Sequence, residues 1–189
     1  MIVENCVVRK CRGGIKLYMA KSARVSGCLV EDCVVQGYSL PSRGVIESSS
    51  GNAAYGPLLY VHGDNHSRQQ IDLKVLPSPH SLGDHPLAAL KGRGHKIKLT
   101  SVGAHTKSKP RPIIVGYFLR FDFLCVDYPD VPKGHEKLFA KYSPGIYKAS
   151  EITIENRTGN PVVLGELSKG NTIRSLGEVL DFGEGNLIK

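Results

Sequence analysis

The stretch Val3-Glu-Asn-Cys-Val-Val-Arg-Lys-Cys11 returns 22 residues later as Val25-Ser-Gly-Cys-Leu-Val-Glu-Asp-Cys33. Five of the nine positions keep their identity or apolar character: 3/25, 6/28, 7/29, 8/30 and 11/33. Self-similarity at a period of this size marks a stacked repeat array. Each repeat is too short for two helices and is rich in Val and Cys, with Gly at the turns. It therefore reads as one rung of a β-solenoid, in which like side chains stack above like. The expectation is an all-β fold, a single β-helix domain over residues 1–189. Its rungs occupy 1–103 and 150–189, and an irregular excursion over 104–149 packs back on the solenoid.

Working outward from the repeat, Val3–Val8, Gly14–Leu17, Arg24–Val30 and Cys33–Val35 read as strands, with corners at Gly13-Gly14, Gly27, Gly37 and Pro41. A looser third rung follows. In it Val45-Ile46 leads into the polar loop 47–52, then the strand Leu58–His62 and the turn 63–67. Gln70–Leu76 and His95–Thr100 alternate strictly, with Ile71, Leu73, Val75, Ile97 and Leu99 on one face and Asp72, Lys74, Lys96 and Lys98 on the other. Between them the Pro-rich loop 77–86 is long enough to stand over a groove. Residues 113–126 are the most apolar stretch and predict buried strands, and 135–142 predict one or two helical turns. The rhythm resumes at Glu151–Asn156. It continues through Gly159-Asn160, Gly170-Asn171 and Gly185-Asn186, each leading into an apolar strand. Gly and Asn tolerate the left-handed corner conformation.

The chain has 189 residues, 41% hydrophobic and 22% charged, which are globular values for one domain. No apolar run approaches the roughly 18 residues of a membrane span, so no membrane partner is expected. Met1 runs straight into the first repeat without the basic and apolar regions of a signal peptide. No capping element precedes Val3, whereas solenoids usually need one. The expectation is the C-terminal portion of a longer β-helix, missing N-terminal rungs, or a homo-oligomer in which association caps the open end. A leader on such a longer protein would place it outside the cell or in the periplasm.

The net charge of +8 is concentrated in the middle third, where nine Lys and Arg between Arg68 and Arg111 face only Asp72 and Asp84. Six of the seven His lie in or beside that segment, at 62, 66, 80, 85, 95 and 105. This balance suggests an anionic partner, the alternative being a solvated face that raises solubility. Nucleic acid is disfavoured because no aromatics interleave with the basic residues. The cysteine pairs 6/11 and 28/33 are read as an apolar ladder. Four-residue gaps suit structural zinc poorly, and disulfides between rungs are the other alternative. The count of five leaves at least one Cys unpaired, with Cys125 the candidate.

On the 22-residue rung, the Asn5-Cys6 and Cys11 pattern and Ile152-Thr-Ile-Glu-Asn156, the chain resembles the right-handed parallel β-helix (pectin lyase-like) superfamily. That superfamily includes pectate lyases, polygalacturonases, alginate lyases and epimerases, and phage tailspikes. The resemblance implies an acidic polysaccharide lying along an outer groove, and chemistry of the polysaccharide lyase or epimerase type. Such chemistry neutralises a uronate carboxylate, removes the C5 proton and, in a lyase, protonates the leaving oxygen. The candidates are Lys91 or Arg93 as carboxylate clamp, His62 or His95 as base and Tyr60 as acid. His66, Arg68, Lys96 and Lys98 are candidate substrate contacts. No metal site is expected, since His62-x-x-x-His66 lacks the metalloprotease Glu. No cofactor is expected either; calcium is the nearest candidate, but Asp64, Asp72 and Asp84 are isolated in sequence. The paired carboxylates of a glycosidase are not evident. The other function class is a non-catalytic β-helix module, glycan-binding, adhesive or structural.

Overall fold

One column of side chains organises the molecule. In the computed structural model, Val3, Val25, Ile46, Ile71, Ile97, Ile154, Ile173 and Ile188 stand opposite one another in consecutive parallel strands. The structure describes residues 1–17, 22–34, 37–40, 43–53, 56–62, 68–77, 86–102, 110–119 and 145–189. Among these, the column runs across a ten-stranded parallel sheet, here the long sheet. A second, nine-stranded parallel sheet faces it. Its inward column is Ile15, Tyr38, Leu59, Ala88, Ile113, Val162 and Val179. Apart from Ile188, which is exposed, both columns belong to or pack against one continuous hydrophobic cluster. The architecture is all-β, without helices among the described residues, and its long parallel sheets are compatible with a β-helix solenoid. No helix among the described residues is long and apolar enough to cross a membrane.

Strand alternation explains the sorting of side chains. In Gln69–Val75, burial alternates residue by residue, with Ile71, Leu73 and Val75 inside and Gln70, Asp72 and Lys74 outside. The expected strand Val3–Val8 is broken in two, Ile2–Glu4 and Val7–Arg9, because Asn5 adopts a left-handed φ of 53°. Gly27 and Ser48 make the same bend in the next two rungs. The cysteine after each bend turns its thiol back to the carbonyl two residues upstream. Cys6 Sγ reaches the Glu4 carbonyl at 3.4 Å and Cys28 Sγ the Ser26 carbonyl at 3.4 Å. Ser49 does this with its hydroxyl, donating to the Glu47 carbonyl at 2.9 Å. Cys28 and Cys33 are buried, whereas Cys6 and Cys11 are exposed on the outermost rung, and all four are free thiols. Cys125 lies outside the described residues.

Two expectations are corrected. Residues 47–52 are not a loop but part of the continuous strand Arg43–Ala53. Its inward polar residues are satisfied by backbone: Ser49 Oγ accepts from the Cys28 N–H at 3.1 Å, and Asn52 Oδ1 from the Asp32 N–H. Within the stretch 104–149 expected to be irregular, Ile113–Val115 is instead a regular strand between Ala88–Leu90 and Val162–Leu164. The departure begins at Gly116. Tyr117–Leu119 pairs antiparallel with Gly145–Tyr147, and Ala149–Ser150 then rejoins beside Gly92-Arg93. Residues 116–148 therefore interrupt a single strand position, which the next rung bridges from Leu164 to Ser168 with three residues. Gly116 has φ +63°, and a Cβ there would lie 2.6 Å from the Ser168 amide nitrogen. Only glycine fits where the chain exits. The helical turns expected at 135–142, the buried strand over 120–126 and most of the loop 77–86 lie outside the described residues.

Ile154, fully buried in the long column, is the test of this stacking. Ile154→Ala is expected to cost about 2–5 kcal/mol. Lys98→Ala, which removes only an exposed ion pair with Asp72, should cost under about 1 kcal/mol. Urea unfolding midpoints of the two variants measure the difference.

Candidate functional site

Where the chain turns from the second sheet into the long sheet, a left-handed residue recurs in four successive rungs: Gly94, Glu151, Gly170 and Gly185. The residue after each, His95, Ile152, Asn171 or Asn186, points into the corner. Asn171 Oδ1 accepts from the Ile152 N–H at 2.9 Å, and Asn186 Oδ1 accepts from the Asn171 N–H at 2.9 Å. His95 performs the same service two rungs before Asn171. Its Nδ1 accepts from the Gln69 N–H at 3.1 Å, and its Nε2 lies 3.0 Å from the Lys91 carbonyl. Those partners require a neutral ring with its proton on Nε2. Burial lowers the His95 pKa, an effect the Lys91 carbonyl partly opposes.

The structure gathers several candidate residues around this corner. His62 and Lys91 are opposite one another in adjacent strands, and Arg93 follows two residues later. Arg68 is exposed and lies over Gly94, its Nε 3.4 Å from where a Cβ would stand. Arg93 is ion-paired with Glu151, whose carboxyl is held below the ordinary range by that hydrogen bond. Lys91 is half-buried, and both ring nitrogens of His95 are taken up by backbone groups. Tyr60 sits apart, opposite Ala89 on the outward face of the second sheet yet almost buried, so that face is shielded from solvent there. The side chain of His62 and all of His66 lie outside the described residues.

Lys96 and Lys98 belong elsewhere, on the outer face of the long sheet. They help line a groove of about 460 Å³ that crosses the strands Arg43–Ala53, Gln69–Val75, Lys96–Ser101 and Thr153–Arg157. Register places Asp72, Lys98 and Glu155 side by side, and likewise Gln70, Lys96 and Thr153. Each groove carboxylate has a cation: Glu47 pairs with Arg24, Asp72 with Lys98 at 3.0 Å, and Glu155 with Arg157. Glu155 is not singled out by the sequence; its outward position opposite Lys98 becomes visible only once rungs of unequal length are aligned.

One member of the basic middle third is not on the surface. Arg111 is buried, donating from its guanidinium to the carbonyls of Ala53 at 3.1 Å, Gly56 at 2.6 Å and Pro86 at 3.1 Å. It ties corners together and adds nothing to an exposed patch. Lys107 and Lys109 lie outside the described residues.

The class these features define is an all-β protein of long parallel sheets with a charged groove on the outer face of one. No protein-family model matches the chain, and no curated protein matches it.

The corner column makes a pH prediction. Because the His95 pKa is lowered in the folded state from 6.5, its neutral ring contributes stability fully above that value. The contribution is lost as pH falls through the folded pKa. Wild type should therefore lose more stability than His95→Asn between about pH 7.5 and pH 5. At neutral pH His95→Asn should retain most of the stability, whereas His95→Leu leaves the Gln69 N–H unpaired at a cost of about 1–3 kcal/mol. Chemical denaturation at the two pH values reads both effects.

Proposed function

We propose that the chain is a right-handed parallel β-helix of the pectin lyase-like type that binds an acidic polysaccharide along the outer groove of its long sheet. The observation that carries the reading is the composition of that groove. Donors and acceptors, Gln70, Thr153, Lys98 and three carboxylates, repeat from strand to strand at the ~4.8 Å spacing of a sheet. A linear polymer of polar repeats is the ligand such a surface suits. With Glu47, Asp72 and Glu155 each matched to a cation, Lys96 is the surplus charge, and it favours a polyanion.

A second reading, turnover of the lyase or epimerase type, draws support from the register that sets His62 beside Lys91, with Arg93 and Arg68 at the same corner. In it Lys91 or Arg93 neutralises the uronate and His62 takes the proton. His95 and Tyr60 are weaker participants, one hydrogen-bonded to backbone at both nitrogens and the other almost buried.

Calorimetric titration against a panel of acidic and neutral polysaccharides, with absorbance of unsaturated uronate products followed in parallel, tests both. Binding to an acidic polymer that Lys96→Glu weakens about tenfold or more, roughly 1.4 kcal/mol, supports the groove. Growth of the uronate absorbance adds lyase turnover. Binding of none of the acidic polymers overturns the proposal.

A further inference from the structure

The groove on the long sheet has two unlike walls. Val45, Gln70, Lys96 and Thr153 stand opposite one another in consecutive strands and form one. Asp72, Lys98 and Glu155 form the other, and Glu47 joins them where the bulge between Ile46 and Ser49 sets it beside Asp72. Between the walls lie Ile46, Ile71 and Ile97, whose side chains are buried, so the floor is strand backbone already engaged in the ladders. A ligand in this groove is therefore read by the side chains of its walls.

Their charges nearly cancel. The lining holds three carboxylates, Glu47, Asp72 and Glu155, against two ammonium groups, Lys96 and Lys98. Arg24 and Arg157, which pair with Glu47 and Glu155 from the flanks, bring the count to four cations against three anions. The net charge of +8 on the whole chain thus shrinks to a single excess cation in the groove. That cation is Lys96. Among the described residues it enters no ion pair, and its neighbours in the column, Gln70 and Thr153, are neutral. Length sets how many ligand charges this one cation must serve. The four strands of the groove, at the ~4.8 Å spacing of a sheet, match about three or four units of an extended polysaccharide, whose sugars advance by nearly the same distance. A polymer with a carboxylate on every sugar would bring some of its charges against Glu47, Asp72 or Glu155, and like charges so placed repel. A neutral sugar at the same place does the opposite, because its hydroxyls donate to those carboxylates in charge-assisted hydrogen bonds.

We propose, resting on the groove as the polysaccharide site, that it selects a sparsely charged acidic heteropolysaccharide, with one anionic group for about every three or four sugars, and rejects polymers charged at every unit. Lys96 holds the anion and so fixes the register of the polymer along the strands. Glu47, Asp72 and Glu155 hold the hydroxyls of the neutral sugars and supply the repulsion that excludes a dense polyanion.

Partial carboxyl reduction tests this on a constant backbone, because it turns uronates into neutral sugars and leaves the linkages alone. Soluble oligomers of alginate, polygalacturonate and polyglucuronate are titrated calorimetrically at low salt, where exposed charges are least screened. Each is used as the parent, as a derivative keeping one carboxylate for about every four sugars, and fully reduced. In a series that binds, the sparse derivative is expected to bind about tenfold tighter than the parent and about tenfold tighter than the neutral form. Lys96→Gln should erase the advantage over the neutral form, and Glu155→Gln should narrow the advantage over the parent by about threefold or more. Both side chains are exposed at strand positions, so unfolding midpoints equal to wild type are expected to certify the fold. A parent or a neutral form that binds as tightly as the sparse derivative overturns the selectivity and leaves the groove reading intact. So does a preference that either substitution leaves unchanged. Absence of binding across all three series overturns the proposal, and if the other acidic polysaccharides fail as well, the groove reading falls with it.

Discussion

In-register stacking of β-branched side chains is the constraint on which the rest of this structure depends. In a parallel ladder each Val or Ile of the inward column meets its counterpart one strand spacing away, with little choice of register. A slip of one residue would turn every inward side chain to solvent and every ion pair into the core. Fixing Ile71 against Ile97 and Ile154 therefore also fixes Asp72 against Lys98 and Glu155 on the other face. The charged groove is a by-product of the apolar column and inherits its regularity.

That coupling explains what could be read from the sequence. Val3 and Val25 announce the repeat because their rungs have nearly the same length. The strict alternation of 70–75 and 96–99 gives Lys96 and Lys98 their outward places directly. The link from Ile97 to Ile154 is hidden, because one rung contains a long interruption and spacing no longer signals register. With it disappears the relation of Glu155 to Lys98, and hence half of the groove. Ser49 and Asn52 look like loop residues by composition, yet they occupy inward positions because their side chains bond backbone N–H groups of the adjacent rung. Composition records polarity and not the partner that satisfies it.

The same distinction governs the basic residues and histidines of the middle third. Arg111 and His95 are among the chemically most suggestive residues in the chain, and both serve the backbone. Arg111 gathers three carbonyls, and His95 occupies an asparagine's place in a corner column. Parallel rungs leave corner carbonyls and amides without ladder partners, and a buried polar group left unpaired costs more than most single contacts return. Long polar side chains at corners are thus a structural requirement of the architecture. Those with a role in binding are better sought on the outward faces of strands.

The interruption at 116–148 has a consequence for how such a chain changes over time. Its two ends re-enter adjacent places in one strand position, and the neighbouring rung closes the same gap with Gly165-Glu166-Leu167. Lengthening a closed loop about tenfold costs roughly 2 kcal/mol in chain entropy, less than a single well-packed isoleucine can supply. The stack can therefore acquire, exchange or shed an ornament at this point without renegotiating its register. Gly116 is the hinge pin of that exchange, a place where novelty enters the protein while the ladder on either side stays as it was.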